Sequence, residues 1–162
     1  MFELPPIPTW DALHPLIIHF PIGLLFIAPI MIVLGIIFKK HSTCLFVSAL
    51  ILMTIGTIAA YVAVSTGEAA GELADRTPAI TEVIQKHNSF AETTRLVFTI
   101  LTIIYLIILL IPKFTKKEMT YKTTILSQVV FLVLYVIGII MLSSTAHLGG
   151  RLVHEFGVRA IM

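Results

Sequence analysis

Six side chains could do chemistry in this sequence: His14, His19, His41, His87, His147 and His154. Imidazole is the commonest metal ligand and a regular axial ligand of haem iron. His14 and His19 are separated by about 140° on an ideal helix, so a regular helix aims them at two neighbours or two sites, not at one small ion. His147 and His154 would share a face two turns apart if their helix continued, but Gly149 and Gly150 argue for a turn there. The HxxxH and HExxH spacings of compact zinc sites do not occur. The single cysteine, Cys44, excludes an internal disulfide and any CxxC motif, and it fits a small apolar position at a helix start. A porphyrin asks instead for one imidazole from each of two facing helices, with small residues beside the ring. Gly23, one turn below His19, and the mid-span Gly56 and Gly138 suit that demand. Haem also carries two propionates, and the guanidinium groups of Arg95, Arg151 and Arg159 match carboxylates in a bidentate way. The competing reading of each arginine is a headgroup anchor.

The elements that must position these residues follow from composition. Of 162 residues, 57% are hydrophobic and 12% charged, against about 25% charged in a soluble domain. So much apolar surface cannot fit inside one small core, which points to an integral membrane protein. A net charge of +2 gives no reason to expect nucleic acid. Four stretches lack Asp, Glu, Lys and Arg: Ala12–Phe38, His41–Gly67, Leu96–Pro112 and Thr123–Gly150. Each approaches or exceeds the ~20 residues of a membrane-crossing helix. They are continuous and not alternating, which excludes barrel strands. The expected fold is all-α, a four-helix bundle forming a single transmembrane domain over 1–162, with spans at about 15–38, 43–66, 93–112 and 124–148. The first stretch lacks a basic leader and a small-residue cleavage site, so it is expected to be retained. No internal repeat is visible.

Local signals refine the spans. Pro15 follows His14 and suits a first helical position. Pro21 and Pro29 lack an N–H, so the carbonyls of Ile17 and Leu25 lose their helical partners. The first span is expected to kink, or to begin properly only near Pro21. In the outer loop, Thr77 and Pro78 form a helix start, and Ile80, Val83, Ile84 and His87 then share a face. This predicts a short amphipathic helix on the membrane surface, with Ser89 and Glu92 as a capping box for the third span.

Six of the eleven basic residues sit in two turns, at Lys39 and Lys40 and at Lys113, Lys116, Lys117 and Lys122. The positive-inside rule places these turns in the cytoplasm. Both termini and the loop from Gly67 to Thr93 then face outward, into the periplasm of a bacterial inner membrane. On that topology five histidines share the outward layer, and His41 alone lies inward as a solvated residue. One histidine near an interface is ordinarily an anchor, but five ionisable groups in one layer point to a functional site.

The segment LHPLIIHFPIGLL (Leu13–Leu25) resembles the signature of the DUF2231 family of small membrane proteins. HNSFAETT, from His87, is similar to the family's histidine-led start of its third span. HLGGRLVHEFGV (His147–Val158) resembles its closing motif, with His154 where tyrosine is expected. The resemblance covers nearly the whole chain. It implies four spans and carries no assigned activity.

The leading expectation is therefore a membrane b-type cytochrome, more an electron-transfer protein than a catalyst, with enzyme activity left open. It would hold one or two haem b groups near the outer face. Axial ligands would be His14, His19, His87 and His147, with Gly23, Arg95 and Arg151 beside the ring and His154 as a further candidate. Two alternatives stay open. One is a non-haem copper, iron or zinc site, for which Glu68, Glu72 and Glu92 could add carboxylates. The other is a structural subunit of a larger membrane complex. Expected partners are the lipid bilayer and a periplasmic or membrane redox partner, with a homo-oligomer also open. No nucleophile-elbow motif surrounds Ser65, Ser143 or Ser144, which argues against a hydrolase.

Overall fold

The computed structural model describes residues 7–115 and 120–158. Lys116, Lys117 and Glu118 of the second lysine turn, together with Arg159, lie outside the described residues. The elements are α1 (His14–Ile17), α2 (His19–Ile37), α3 (Ser42–Glu72), α4 (Pro78–Thr115) and α5 (Tyr121–His154), with a single 3-10 turn at Lys39–His41. Four helical segments are long and apolar enough to cross a membrane. Helix α2 packs on α3, α3 on α4, α4 on α5 and α5 on α2, so α2 and α4 stand diagonally across a four-helix bundle.

The helices outrun the expected spans. α3, α4 and α5 have 31, 38 and 34 residues. At 1.5 Å per residue each exceeds the ~30 Å hydrocarbon layer, so their ends project beyond it. The helix expected at Pro78 is present, and the Ile80 N–H donates to its cap, Thr77 Oγ1, at 3.3 Å. It is continuous with the third span and not a separate surface helix. Ser89 therefore caps nothing; it lies inside α4 and its carbonyl accepts from Thr93 Oγ1. The reason is that Val83 and Ile84 find protein cover: they pack with Leu152 of α5 in a second, outer apolar cluster. Helix α5 likewise runs through Gly149 and Gly150 and ends only at His154. The chain turns back at Gly157, whose φ of 64° suits glycine, and the Val158 N–H reaches the Leu152 carbonyl at 2.9 Å.

The two prolines of the first span behave differently. Near Pro21 the helical ladder is interrupted at Ile18, yet Ile18 keeps helical dihedrals and the span starts at His14. Pro29 lies inside α2 and leaves the Leu25 carbonyl without its helical donor. The Tyr135 hydroxyl, from α5, donates to that carbonyl at 2.9 Å. At the inner end Tyr121 of α5 similarly donates to Ile36 O at 3.1 Å, and Lys39 lies over its ring.

Burial reveals an internal repeat that the sequence reading missed. The buried residues Leu25, Ala28 and Ile32 of α2 match Phe98, Leu101 and Tyr105 of α4, each 73 positions on. The buried residues Ala49, Met53, Gly56 and Ala60 of α3 match Phe131, Tyr135, Gly138 and Leu142 of α5, each 82 positions on. Residues 50–58 and 132–140 share the pattern LxLxxIGxI. The bundle is thus two copies of one helical hairpin, facing each other about an approximate two-fold axis. The signal was hidden because Leu and Ile matches are common in any apolar span, and because the second hairpin has a nine-residue longer turn that splits the offset.

If Tyr135 substitutes for the donor that Pro29 removes, Tyr135→Phe will destabilise the bundle by about 0.5–2 kcal/mol. The loss should be smaller in a Pro29→Ala background, where the backbone N–H is restored. Unfolding the four chains of this cycle by SDS titration in mixed micelles measures both.

Candidate functional site

At the outer end of the bundle the diagonal helices bring His14 and His87 together. Their ring centroids are 6.5 Å apart and their planes cross at 83°. Each ring is fixed by a helix of its own hairpin. His14 Nδ1 lies 3.0 Å from the Ala63 carbonyl and 3.2 Å from Thr66 Oγ1, both on α3. His87 Nδ1 lies 3.0 Å from the Thr145 carbonyl of α5. A carbonyl only accepts, so Nδ1 carries the proton in both rings, and in the neutral imidazole Nε2 then holds the free lone pair.

Glycine makes these bonds possible. A helical side chain covers the turn N-terminal to its own Cα, so the carbonyl of residue i is shielded by the side chain at i+4. Four residues after Ala63 comes Gly67, and four after Thr145 comes Gly149. A Cβ on Gly67 would stand 2.7 Å from His14 Cε1, and one on Gly149 3.1 Å from His87 Cε1. Threonines brace the same turns. The buried Thr66 hydroxyl donates into its own helix, at Val62 and Ala63. The Thr145 hydroxyl donates to Met141 O, so the buried Thr94 must be the donor in its 2.9 Å bond to Thr145 Oγ1.

Directly below the two rings lies a cavity of about 490 Å³, bounded by all the long helices. This is within the ~300–1,000 Å³ range of small-molecule and cofactor sites. It is built on the two-fold. Nine pairs of equivalent residues line it, among them Ala60 and Leu142, Val64 and Ala146, and Ile22 and Arg95. Its walls are mostly apolar and small. A second apolar cluster, Val83, Ile84 and Leu152, packs toward this end of the bundle, and a smaller pocket of about 100 Å³ is lined by Ile84, Leu152 and both rings.

The structure sorts the residues singled out by sequence. His14, His19, His87, His154 and Arg95 all line the cavity. His14 and His19 bound the same large cavity without converging on one small ion, as their separation around a helix allows. His147 is exposed and does not line the cavity. Gly23 does not line it either, and a Cβ there would meet open space. Arg151 is held at 2.8 Å by Glu155 on an exposed helix face, where its hydrogen bonds keep the Glu155 carboxyl below the usual carboxylate range. Arg95 is half-buried, with its guanidinium 4.9 Å above the Tyr61 ring. Among the described residues no carboxylate pairs with it, the ion pairs there being Lys86–Glu82 and Arg151–Glu155. Gly67 is the functional residue that sequence reasoning missed. Its signal was the eleven-residue spacing from Gly56, repeated between Gly138 and Gly149.

Gly67→Ala and Gly149→Ala should each destabilise the protein by about 1–3 kcal/mol through displacement of the neighbouring imidazole. Gly23→Ala and Gly150→Ala meet open space and should be neutral, or stabilising by up to ~1 kcal/mol through helix propensity. Thermal unfolding of the purified protein in detergent ranks the four variants.

A family model described as a predicted membrane protein, DUF2231, matches residues 10–161. Comparison with curated proteins and with solved structures found no match to either.

Proposed function

From the premise that this chain belongs to the DUF2231 family and is an integral membrane protein, we propose that it is a b-type cytochrome that holds one haem between His14 and His87 for electron transfer. The observation that carries this reading is the pairing of two tethered imidazoles across the bundle at 6.5 Å. A metal–imidazole bond is ~2 Å, so two rings on opposite sides of one ion have centroids about 6 Å apart.

The surroundings favour haem over a bare metal ion. Among the described residues no three His, Cys, Asp or Glu side chains gather as a metal-ligand set. A pair of imidazoles suits a metal that brings its own equatorial donors, as haem iron does. The adjoining cavity is apolar and of cofactor size, and Arg95 offers an unpaired cation to a propionate. When bound, haem with two imidazole ligands would supply a one-electron couple and no open coordination position.

The chain's own residues do the rest. The Nδ1–H bonds to the Ala63 and Thr145 carbonyls fix each ring and raise the basicity of Nε2, the usual support for a metal-bound histidine. Gly67 and Gly149 let the rings sit against the helices. One pair of tethered rings argues for one haem. His19, without such a tether, and the exposed His147 are not required as ligands.

The lysine turns support an orientation with both termini and the site on the outer face, the periplasmic side of a bacterial inner membrane. A reporter active only in the cytoplasm, fused after Met162, should be silent; a bright signal would reverse the orientation.

Purified protein expressed with ample haem should show sharp low-spin b-type bands on dithionite reduction and little response to carbon monoxide. His14→Ala and His87→Ala should each remove haem or convert it to high spin. His41→Ala and His147→Ala should leave the spectrum intact. A well-folded protein that stays colourless would sink the cytochrome reading.

A further inference from the structure

The approximate two-fold axis gives the bundle two equivalent side seams, and the chain finishes them differently. On the α3–α4 seam Arg95 lies over Tyr61, Tyr61 and Thr99 share a hydrogen bond of 3.2 Å, and Thr57 and Thr102 share one of 3.0 Å. The equivalent positions on the α2–α5 seam are Ile22 with Ser143, Phe26 with Ser143, and Pro29 with Ile139. None of these pairs has side-chain donor and acceptor groups on both sides. Tyr135 and Tyr121 tie this seam only further in, at Leu25 and Ile36.

Burial follows the same asymmetry. Val64 on the tied seam is buried, and its equivalent Ala146 on the other seam is exposed. Pro15, His19, Val153 and His154 are also exposed, although they line the same cavity as Ala146. Toward the outer end Val83, Ile84 and Leu152 are buried, and a smaller pocket of about 100 Å³ is lined by Ile84, Leu152 and the two rings. On the two helices of the open seam Phe20 and Ile140 are 53% and 60% exposed, as side chains that meet lipid tails are. The cavity therefore opens sideways between α2 and α5, beside an apolar face suited to lipid tails.

We propose that this opening is a lateral portal, and that the electron donor to the site is a membrane-dissolved quinol that enters through it. The proposal rests on the haem reading above and names the redox partner of that site. A donor arriving through lipid must itself be lipid-soluble, and a quinol gives up two protons with its two electrons. His19 and His154 stand exposed in the opening, where an imidazole nitrogen can accept a hydrogen bond from a quinol hydroxyl. The balance is one quinol and two ferric haems, in two chains or two successive turnovers, giving one quinone, two ferrous haems and two protons. The protons pass to His19 and His154 and on to water at the outer face. Each electron leaves to a one-electron acceptor protein on that side.

The test uses the full-length, haem-loaded protein in liposomes without oxygen, with a short-tailed benzoquinol as donor. The quinol should reduce the haem. Ala146→Trp should slow that reduction by about tenfold or more, while Ile103→Trp, on the exposed face of α4, should not. Dithionite should reduce all three chains equally. A second readout needs no turnover and covers the case in which Ala146→Trp fails to fold. In a Cys44→Ser background, Ala146→Cys should be protected from a membrane-permeant maleimide by the oxidised benzoquinone, and Ile103→Cys should not. Absent haem bands would overturn the cytochrome reading and the proposal with it. Normal dithionite spectra with no reduction by quinol, an unchanged rate in Ala146→Trp, or no protection of Ala146→Cys would overturn the portal alone.

Discussion

An imidazole buried in an apolar layer needs a hydrogen-bond partner, and in this bundle the partner is a helix carbonyl that glycine uncovers. Helical carbonyls are ordinarily shielded by the side chain four residues on. Gly67 and Gly149 remove that shield over Ala63 and Thr145, and each exposed oxygen accepts from one histidine. From this contact follow the protonation of Nδ1, the free lone pair on Nε2, the standing of the two rings across the bundle axis, and the close approach of the helices that carry them. An alanine at either glycine would cover the oxygen and push the ring away, so the site and the helix packing share one cause.

The duplication multiplies that device. One hairpin with one histidine, one uncovered carbonyl and one small-residue wall would form half a site. Two such hairpins face to face complete it, which is why nine lining positions of the cavity come in equivalent pairs. The differences between the halves then matter most. Arg95 stands where the first half has Ile22, and Tyr61 where the second has Ser143. These exchanges tie one seam with polar contacts and place a guanidinium, without a carboxylate partner among the described residues, beside the cavity. The scaffold is symmetric, and the chemistry offered to a ligand is not.

The same backbone constraint governs the rest of the bundle. Inside a bilayer no water is available for a carbonyl that loses its helical donor. Pro29 creates such a carbonyl at Leu25, and Tyr135 answers it from the facing hairpin. The contact ties the open seam inward of the cavity. This leaves the outer part of the seam parted at the level of the histidines.

How much of this was legible in the residues depends on whether the cause was local. Run length and charge placement are local, so the four spans, the grouping of five histidines toward one end, the helix start at Thr77 and the orphaned Leu25 carbonyl could all be read directly. The family resemblance added the same architecture. The pairing of His14 with His87, the tether on each, the role of Gly67, the exposure of His147 and the passage of α5 through Gly149 and Gly150 could not. In a span that is apolar all round, periodicity does not say which face turns inward. That rotation is decided by packing between segments 49 to 58 residues apart, where a histidine meets a carbonyl of another helix. The sequence by itself determined that imidazoles would collect at one end of a membrane bundle. Only the tertiary structure decided which two would meet, because it alone sets which carbonyls are bare and which helix faces look at each other.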